Sequence, residues 1–455
     1  MTKLIKHLMD GEIGSRKDLI DYIRRGERSP EAWGIGMEVE KQVIDSATGY
    51  SAHYDSIESF LKNLEKGGAW KGIREDGHLI ALMGEDSSIT LEPGGQLELS
   101  GKVCPHIQCS QKELKKYIEE IIIESKPLGL TFLGIGVQPF TKMEEICWLP
   151  KARYNVMGPY MARTGDMGQR MMKQSAGIQV NIDFSDEEDC IEKLRMAMVI
   201  SPLFYALFAN SPIMDGKPSG FLSTRGEIWS RTDKDRTGLI TNLFNDGAGY
   251  GSYVDYALEV PMYFIMRKGA FIDLTKERFT FNRYLKEGFN GLKATMDDWS
   301  LHLSTLFPEA RLRPQIEIRS FDSLPPRYVT SVGAFIKGLF YDDDAKKEIT
   351  ELFSPADDFM DQSFRRCSWQ QGLKASIGGR TLREIALDAI SISRRSLKRQ
   401  SENNKKGLDE TFFLDNIEEI AESGQTLADT ILAGWKGSQE DKLKMLIDHC
   451  GYRKQ

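Results

Sequence analysis

The stretch that decides the fold is Ser87-Ser-Ile-Thr-Leu-Glu-Pro-Gly-Gly-Gln-Leu-Glu-Leu-Ser100, read together with Gly34-Ile-Gly-Met-Glu-Val-Glu40. Apolar and polar residues alternate in both segments, which is typical of β-strands with two chemically different faces. The two glutamates of the earlier segment therefore share one face, and Gln96 and Glu98 share one face of the later segment. The opposite faces are apolar and predict a sheet that covers a hydrophobic core on one side.

Two further segments, Gly177-Ile-Gln-Val-Asn-Ile-Asp-Phe184 and Pro314-Gln-Ile-Glu-Ile-Arg319, repeat this alternation. Carboxylates that crowd together repel one another, so a face that collects them requires cations to neutralise them. Oxygen ligands suit magnesium or manganese, and magnesium commonly accompanies nucleotide phosphates. The polar side chains of these two segments are Gln179, Asn181, Asp183, Gln315, Glu317 and Arg319.

A single Glu-x-Glu strand is more often the solvated outer face of an antiparallel sheet than a metal site. The sequence Glu92-Pro-Gly-Gly95 does not fit an ordinary strand surface. Pro93 and the paired glycines interrupt a strand and let a ligand or another backbone approach closely. We therefore predict a site for metal and nucleotide phosphates at Glu38, Glu40, Glu92, Gln96 and Glu98.

Composition restricts the class of protein. The net charge of −7 over 455 residues argues against nucleic acid as the main partner, because phosphate binding favours a basic surface. The most apolar stretch, 196–209, is too short to span a bilayer and predicts no membrane association. Residues 1–28 mix Lys, Arg, Asp and Glu without an apolar region, which does not fit a secretory signal, and the acidic residues fit a transit peptide poorly. A cytosolic protein is the expectation.

Six cysteines in a chain of this length do not predict a disulfide framework. Cys104-Pro-His-Ile-Gln-Cys109 contains the residue types of half a zinc site, but no second Cys or His pair follows nearby. We expect reduced thiols at these two positions.

Organisation along the chain predicts an α+β fold in which an antiparallel sheet curves around the polar face. No repeat or low-complexity linker divides the sequence, so 1–455 is interpreted as a single integrated catalytic domain with a helical portion at about 345–455. A buried strand is predicted at 130–137. Periodicity and caps predict helices at 16–26, 54–66, 111–126, 188–208, 328–340, 345–353, 380–400, 413–422, 425–435 and 438–449.

Two basic segments are candidates for binding anions. The stretch 223–238, interpreted as a loop, contains Arg225 and Arg236, whose planar guanidinium groups suit carboxylates or phosphates. A charged surface loop with local ion pairs is the alternative interpretation. Lys151 and Arg153 form a second basic pair with the same alternative. The glycine-rich stretch 245–251 matches neither a Walker loop nor a dinucleotide fingerprint and is interpreted as a flexible loop.

Taken in order, these motifs resemble the plant-type glutamate–cysteine ligase family, a group shared by plants and many bacteria. The resemblance covers about residues 30–345 and is carried by Gly34–Lys41, by 88–100, by Asp233-Lys-Asp-Arg-Thr-Gly238 and by Tyr253-Val-Asp-Tyr-Ala257. It implies a glutamine-synthetase-like fold. It also implies that ATP phosphorylates the γ-carboxylate of glutamate, after which the amine of cysteine displaces phosphate and γ-glutamylcysteine forms, as in the first step of glutathione biosynthesis.

The resemblance also assigns roles to residues, with ATP and Mg²⁺ (or Mn²⁺) as cofactors, glutamate and cysteine as substrates, and a monomer or homodimer as the functional unit. It implies metal and phosphate contacts at Glu38, Glu40, Glu92 and Glu98, with Gln96 in support. From the polar strands and the basic segments we also predict a metal ligand at Glu317 and nucleotide contacts at Gln96, Gln179, Asn181, Lys151 and Arg153. The resemblance implies catalytic contacts to carboxylate or phosphoryl groups at Arg225, Arg236 and Arg319, with Arg225 also binding substrate. Met262 and Tyr263 are expected to line the amino-acid pocket, although core packing explains Met262 equally well.

One segment departs from the family pattern. Where the family has Glu-Met-Arg-Gly-Ala-Asp, this chain has Glu317-Ile-Arg-Ser-Phe-Asp322, which places bulk at Ser320 and Phe321. A reshaped acceptor pocket is the expectation, so a γ-glutamyl ligase that uses a different amine stays open. A non-catalytic regulator that binds nucleotide or glutamate also stays open, although a pure binding module gains nothing from several mutually repelling acids.

Overall fold

The computed structural model describes residues 11–403 and 408–453, with the side chains of 402 and 403 excepted. Residues 1–10, part of the N-terminal segment behind the cytosolic expectation, lie outside the described residues, as do 404–407 and 454–455.

A nine-stranded antiparallel sheet dominates the described part of the chain. Its strands follow the order β14-β15-β7-β1-β5-β4-β3-β2, and β6 pairs with the second half of the long strand β1. The strands of this sheet are β1 (Ile35–Asp45), β2 (Lys71–Glu75), β3 (His78–Met83), β4 (Ser88–Leu91), β5 (Leu97–Ser100), β6 (Leu130–Leu133), β7 (Gly177–Ile182), β14 (Ala310–Leu312) and β15 (Ile316–Asp322). The short paired strands outside it are β8 (Ile213–Met214), β9 (Lys217–Pro218), β10 (Thr237–Gly238), β11 (Phe264–Arg267), β12 (Ala270–Asp273), β13 (Phe307–Pro308), β16 (Ser376–Ile377) and β17 (Arg380–Thr381).

The register of the sheet places the predicted polar residues on one face. Glu40 lies opposite Glu98, and Glu38 lies opposite Gln179. Directly opposed residues in an antiparallel pair point to the same side of the sheet. The alternation read from the sequence therefore becomes a continuous polar surface in the fold.

Helices cover the apolar side of the sheet and build the C-terminal portion. The predicted helix 54–66 is observed with those bounds, and 111–126 begins earlier, at Ile107, because the His106 side chain accepts a hydrogen bond from the Cys109 amide (3.2 Å). The helices are α1 (Arg16–Arg24), α2 (Tyr54–Lys66), α3 (Ile107–Ser125), α4 (Tyr154–Thr164), α5 (Gly168–Gln174), α6 (Glu187–Leu207), α7 (Thr224–Ser230), α8 (Tyr250–Glu259), α9 (Phe281–Glu287), α10 (Met296–Leu303), α11 (Pro326–Phe340), α12 (Asp343–Leu352), α13 (Ala356–Met360), α14 (Gln362–Gln371), α15 (Leu382–Asn403), α16 (Asp415–Ser423), α17 (Leu427–Gly434) and α18 (Gln439–Cys450).

The hydrophobic core lies between the sheet and the two buried helices α6 and α11. The rings of Phe321 on β15 and Phe204 on α6 are 4.8 Å apart, and Phe335 on α11 lies 6.3 Å from Phe204. Aromatic burial of this kind adds both apolar area and ring–ring attraction to the stability of the fold. The core thus fixes β15, and with it the arginine and glutamate of that strand.

Three local expectations were wrong. The strand predicted at 130–137 ends at Leu133, and Gly134 comes so close to another segment that an added Cβ would lie 2.0 Å from the Leu324 carbonyl oxygen. The stretch 223–238 is not a loop throughout, because helix α7 begins at Thr224. The Ser223 side chain caps this helix. Cys104 and Cys109, expected as reduced thiols, form a disulfide, since helix α3 brings their Cα atoms to 5.7 Å. None of the described helices has the length and hydropathy needed to cross a membrane.

Candidate active site

A cavity of about 270 Å³ opens over the polar face of β1, β5 and β7. We call it the carboxylate cavity. Residues 92–93, from the turn after β4, and the segment before α4 close its sides, so strands and loops that are distant in sequence meet here. The predicted site residues that line it are Glu38, Glu40, Glu92, Gln96, Glu98, Lys151, Arg153, Gln179 and Arg319.

Two glutamates of this cavity hold their protons unusually strongly. Burial, together with the nearby charges of Glu317 and Glu98, raises the pKa of Glu38 to about 8. Burial and the charges of Glu92 and Glu40 raise the pKa of Glu98 to about 7. Like charges in a desolvated space oppose ionisation. A cation bound among these groups would favour their ionised forms.

Glu92 shows the same effect, because burial and the charge of Glu40 raise its pKa. Glu40 itself is held in place by two donors: the Gln179 side-chain amide (2.7 Å) and the Gly177 backbone amide (2.5 Å). On the same strand, Glu38 accepts from the Asn181 amide (3.0 Å). The amides on β7 therefore orient the two carboxylates of β1.

Glu317 differs from the other four glutamates. It is fully buried and pairs with the Arg311 guanidinium at 2.7 Å and with Arg319. Burial alone would raise its pKa, but the charges of Arg311 and Arg319 lower it to about 2. Its charge is thus already neutralised by protein groups. The metal role predicted for Glu317 stays a prediction, and these contacts explain its burial without a metal.

The basic pair of this cavity sits opposite the glutamates. Burial lowers the pKa of Lys151, and the charge of Glu92 opposes this lowering. The Lys151 Nζ donates a hydrogen bond to the Leu91 carbonyl oxygen at 2.6 Å. The Nε of Arg153 is buried and has no hydrogen-bond partner. An unpaired buried guanidinium N–H is costly, so this donor is available to a bound anion.

Gln96 braces the turn that carries Glu92. Its amide donates to the Ser175 carbonyl oxygen (2.8 Å), and its Oε1 accepts from the Gly94 backbone amide (2.9 Å). A Cβ at Gly94 would lie 2.1 Å from the Lys173 carbonyl oxygen, so the paired glycines do admit another backbone. These contacts occupy the Gln96 side chain, whose predicted nucleotide contact stays a prediction.

The donor set of the cavity fits a hard divalent cation. Its glutamates offer only oxygen atoms, and the buried Oε1 of Gln179 has no hydrogen-bond partner. Within the described residues, no three His, Cys, Asp or Glu side chains converge as a preassembled metal centre. The residues therefore match magnesium or manganese in chemistry, and the metal site stays a prediction.

A second cavity, of about 360 Å³, adjoins the first; Arg319, Trp229 and Phe307 line both. We call it the arginine pocket. The Arg319 guanidinium lies 5.6 Å from the Trp229 ring centre and 5.7 Å from that of Phe307. Arg225 lines the second cavity only. The structure thus brings two of the three predicted catalytic arginines to one continuous space.

Arg236, Met262 and Tyr263 lie elsewhere. Arg236 is fully buried, pairs with Asp233 at 2.6 Å and stacks 3.9 Å from the ring centre of Tyr263. Met262 and Tyr263 are each 1 % exposed, and neither is among the residues that line the two cavities. The local ion pair considered as the alternative for Arg236 is the arrangement observed.

Phe321 packs into the hydrophobic core. It is fully buried against Phe204 and Phe208, because a β-bulge between Ile318 and Phe321 adds a residue to β15. The extra residue turns Phe321 to the apolar face. Phe321 therefore lines neither of the two cavities, and an acceptor pocket reshaped by this segment stays a prediction.

Sequence reasoning missed Arg311, Arg365 and Trp229. Arg311 is the bidentate partner of Glu317, and Arg365 lines the arginine pocket from helix α14. Arg311 lies on a strand of three residues, which is too short to show a period-two pattern. Arg365 lies on a helix far along the chain, so no strand pattern connects it with the glutamates. A signal was present for Trp229, which follows Arg225 by one helical turn.

Comparison with known proteins decides the family. The family model described as glutamate-cysteine ligase family 2 matches residues 34–449. This chain belongs to that family. The chloroplastic glutamate–cysteine ligase of Brassica juncea is 37% identical over 429 residues, which cover 93% of this chain and 81% of that protein. The chloroplastic enzyme of Arabidopsis thaliana is also 37% identical, over 96% of this chain and 83% of the relative.

Membership of the glutamate–cysteine ligase family makes this chain a ligase and confirms the resemblance seen in the sequence. A solved structure of a glutamate–cysteine ligase from Francisella tularensis, in complex with AMP, aligns with a TM-score of 0.53 and 14% sequence identity, over 91% of this chain and 88% of the other. The predicted α+β, glutamine-synthetase-like fold is confirmed by this likeness and by the antiparallel sheet.

The same comparisons correct the predicted location. The plant relatives, including that of Medicago truncatula at 34% identity, are chloroplastic enzymes. The expectation of a cytosolic protein is therefore wrong. It rested on the composition of residues 1–28, the first ten of which lie outside the described structure.

Proposed function

We propose that this ligase joins the γ-carboxylate of glutamate to the amine of cysteine at the expense of ATP, and so forms γ-glutamylcysteine. The single observation that carries the proposal is the carboxylate cavity, where three glutamates on neighbouring strands and Glu92 from the turn after β4 lie with Lys151, Arg153 and Arg319. Carboxylates suit the cations that accompany a nucleotide, and basic side chains suit the phosphates themselves. The family to which the chain belongs supports the choice of substrates.

Glu38, Glu40, Glu92 and Glu98 would hold Mg²⁺, with Mn²⁺ as the alternative. When bound, the metal supplies charge neutralisation for the phosphate oxygens. Gln179 and Asn181 orient Glu40 and Glu38 through the hydrogen bonds described above, so these two amides act by positioning the carboxylates. Glu317 serves the site by holding Arg319 in place.

The chemistry requires activation because a free carboxylate is a poor electrophile. A γ-carboxylate oxygen of glutamate attacks the terminal phosphorus of ATP, ADP leaves, and γ-glutamyl phosphate results. The cysteine ammonium loses a proton, and the resulting amine attacks the acyl carbon. A second proton leaves the nitrogen as the amide bond forms, and inorganic phosphate leaves with the former carboxylate oxygen. Arg319, at the junction of the two cavities, stabilises negative charge on the acyl phosphate and on the tetrahedral species that follows.

The experiment that tests this function measures phosphate release from ATP in the presence of Mg²⁺ and glutamate, with and without cysteine, and weighs the product by mass spectrometry. We expect cysteine-dependent release and the mass of γ-glutamylcysteine. Omission of Mg²⁺ in a chelating buffer should abolish release. Release that requires a different amine would overturn the acceptor assignment, and nucleotide binding without turnover would overturn the enzymatic one.

A further inference from the structure

A third cavity, of about 1180 Å³, lies apart from the proposed active site. It opens between the N-terminal part of α6, helix α12 and the glycine-rich stretch at 244–249. It shares no lining residue with the carboxylate cavity or the arginine pocket. We call it the acidic groove. Its volume exceeds the range that is usual for a site of one small molecule, so a peptide segment is the better match in size.

The floor of the acidic groove is apolar. Helix α6 contributes Val199 and Ile200, and α12 and the residue after it contribute Ile349 and Phe353. Phe244 closes the side formed by the glycine-rich stretch. An occupant of this groove must therefore carry apolar side chains on one face.

The rim of the groove is strongly acidic. Its carboxylates are Asp186, Glu187, Glu188, Asp189, Glu192 and Asp343, and its cationic side chains are Arg195 and Lys346. Lys346 already pairs with Asp189 (2.9 Å) and Glu192 (2.6 Å).

The second cation of the rim is also in use. Arg195 donates to the carbonyl oxygens of Leu243 (2.6 Å) and Asn245 (3.1 Å), which holds the glycine-rich stretch in place. Glu188 is exposed and pairs with no cation among the residues that the structure describes. An occupant with positive charges beside its apolar face would meet a complementary rim.

The first ten residues of the chain have this composition. Their sequence is Met1-Thr-Lys-Leu-Ile-Lys-His-Leu-Met-Asp10. Apolar residues stand at positions 1, 4, 5, 8 and 9, the spacing with which an amphipathic segment lays one face in an apolar groove. Lys3 and Lys6 fall between these positions. The segment therefore matches both the floor and the rim.

The segment is also long enough to reach the groove. The Arg16 guanidinium donates to the Gly251 carbonyl oxygen (2.8 Å), and Gly249, two residues earlier, lines the groove. At the other end of α1, Arg24 lies 4.0 Å from Glu187 on the rim. Five residues separate 11 from 16 and span at most about 18 Å, whereas ten residues span up to about 35 Å.

We propose that residues 1–10 of this chain bind in the acidic groove, with their apolar residues on its floor and Lys3 and Lys6 paired with carboxylates of its rim. The groove lies outside the ligase site, so this inference does not depend on the proposed function. Binding would tie the start of the chain to α6, the helix that follows β7.

The first test is zero-length cross-linking of the full-length protein with a carbodiimide, which joins an amine to a carboxylate that it contacts. Equal amounts of unlabelled and ¹⁵N-labelled protein are mixed before the reaction, and cross-linked peptides are identified by mass spectrometry. We expect Lys3 or Lys6 joined to a carboxylate of the rim, Glu188 above all, with both peptides carrying the same isotope. Peptide pairs of mixed isotope would show that a second copy supplies the segment and would overturn the proposal. So would the absence of any cross-link between the segment and the rim.

The second test is hydrogen–deuterium exchange at the amides of residues 2–10. Lys3→Glu/Lys6→Glu should raise the exchange rate about 5- to 30-fold, the effect of losing two exposed ion pairs. Glu188→Lys should act in the same direction, and Lys6→Glu/Glu188→Lys should recover part of the protection, because the charges are exchanged and not lost. Glu119→Lys, on the exposed side of α3, is the matched control and should leave exchange unchanged. Unprotected amides in the wild type, or an equal effect of Glu188→Lys and Glu119→Lys, would overturn the proposal.

Discussion

Glu40 and Glu98 lie directly opposite one another across the β1–β5 pair, so two partly buried carboxylates share one face of the sheet. Like charges in this position destabilise a sheet unless something neutralises them. Burial and the charges of Glu92 and Glu40 accordingly raise the pKa of Glu98 to about 7. The fold tolerates this repulsion at the place where the proposed chemistry needs a bound cation.

The first prediction follows from that pair. Glu98→Gln keeps the shape of the side chain and removes its charge, so turnover at saturating Mg²⁺ should fall at least about 100-fold, as for other electrostatic groups at reacting centres. The melting temperature should not fall, because the repulsion with Glu40 is relieved. Glu119→Gln, on the exposed side of α3, is the control and should behave as the wild type. Near-normal turnover of Glu98→Gln would refute the metal assignment.

The second prediction concerns the buried pair of Arg311 and Glu317. Arg311→Met leaves the Glu317 carboxylate without its bidentate partner, which should lower the free energy of unfolding by about 3 to 5 kcal/mol. Urea denaturation measures this loss. The double variant Arg311→Met/Glu317→Leu should recover part of it, because no buried charge is then left unpaired. An unchanged stability for Arg311→Met alone would show that Arg319 suffices to neutralise Glu317.

The third prediction uses the turn that carries Glu92. Gly94→Ala would place a Cβ 2.1 Å from the Lys173 carbonyl oxygen, so the backbone must move. We expect a loss of about 1 to 3 kcal/mol in the free energy of unfolding and a lower kcat. A Cβ added at Gly14 would make one ordinary contact, 3.5 Å from the Asp18 Oδ2 atom, so Gly14→Ala serves as the control. Equal stability of the two variants would contradict the close approach.

The fourth prediction concerns pH. Burial lowers the pKa of His302 from 6.5 to about 3, with its Nε2 2.8 Å from the Ala257 carbonyl oxygen. The unfolded chain therefore binds an extra proton below pH 6.5, and stability falls as the pH falls through the window from 6.5 towards 3. At pH 5 this group should cost about 2 kcal/mol relative to neutral pH.

Denaturant titrations at several pH values measure this slope. His302→Gln should flatten it, whereas His53→Gln, at an exposed position, should leave it unchanged. A slope that His302→Gln does not alter would place the acid sensitivity in other groups.

The sequence predicted the sheet and its polar face because period-two alternation directly encodes which side chains point together. Glu38, Glu40 and Glu98 were found in this way and Glu92 from the Pro93-Gly-Gly sequence that follows it, and the structure places all four at one cavity. Phe321 was misplaced because a single bulge residue inverts the alternation after Ile318, and alternation alone does not reveal a bulge.

The arginine pocket was only partly foreseen. Arg225 and Arg319 were recognised as anion-binding candidates, but Arg365 comes from a helix in the C-terminal portion and reaches the site only through tertiary packing. Arg236 belongs to a recognisable basic motif, yet its guanidinium is used by Asp233 and by the Pro261 carbonyl oxygen (2.8 Å). Spacing in the sequence does not distinguish an arginine that serves a ligand from one that serves the fold.

The central claim, that the γ-carboxylate of glutamate is activated as an acyl phosphate within the carboxylate cavity, is tested most directly by following oxygen. Glutamate labelled with ¹⁸O in its γ-carboxylate is turned over with ATP, Mg²⁺ and cysteine, and the released phosphate is analysed by mass spectrometry. The account predicts one ¹⁸O atom in each phosphate released, because the former carboxylate oxygen leaves with it. Unlabelled phosphate from a reaction that does form γ-glutamylcysteine would contradict it.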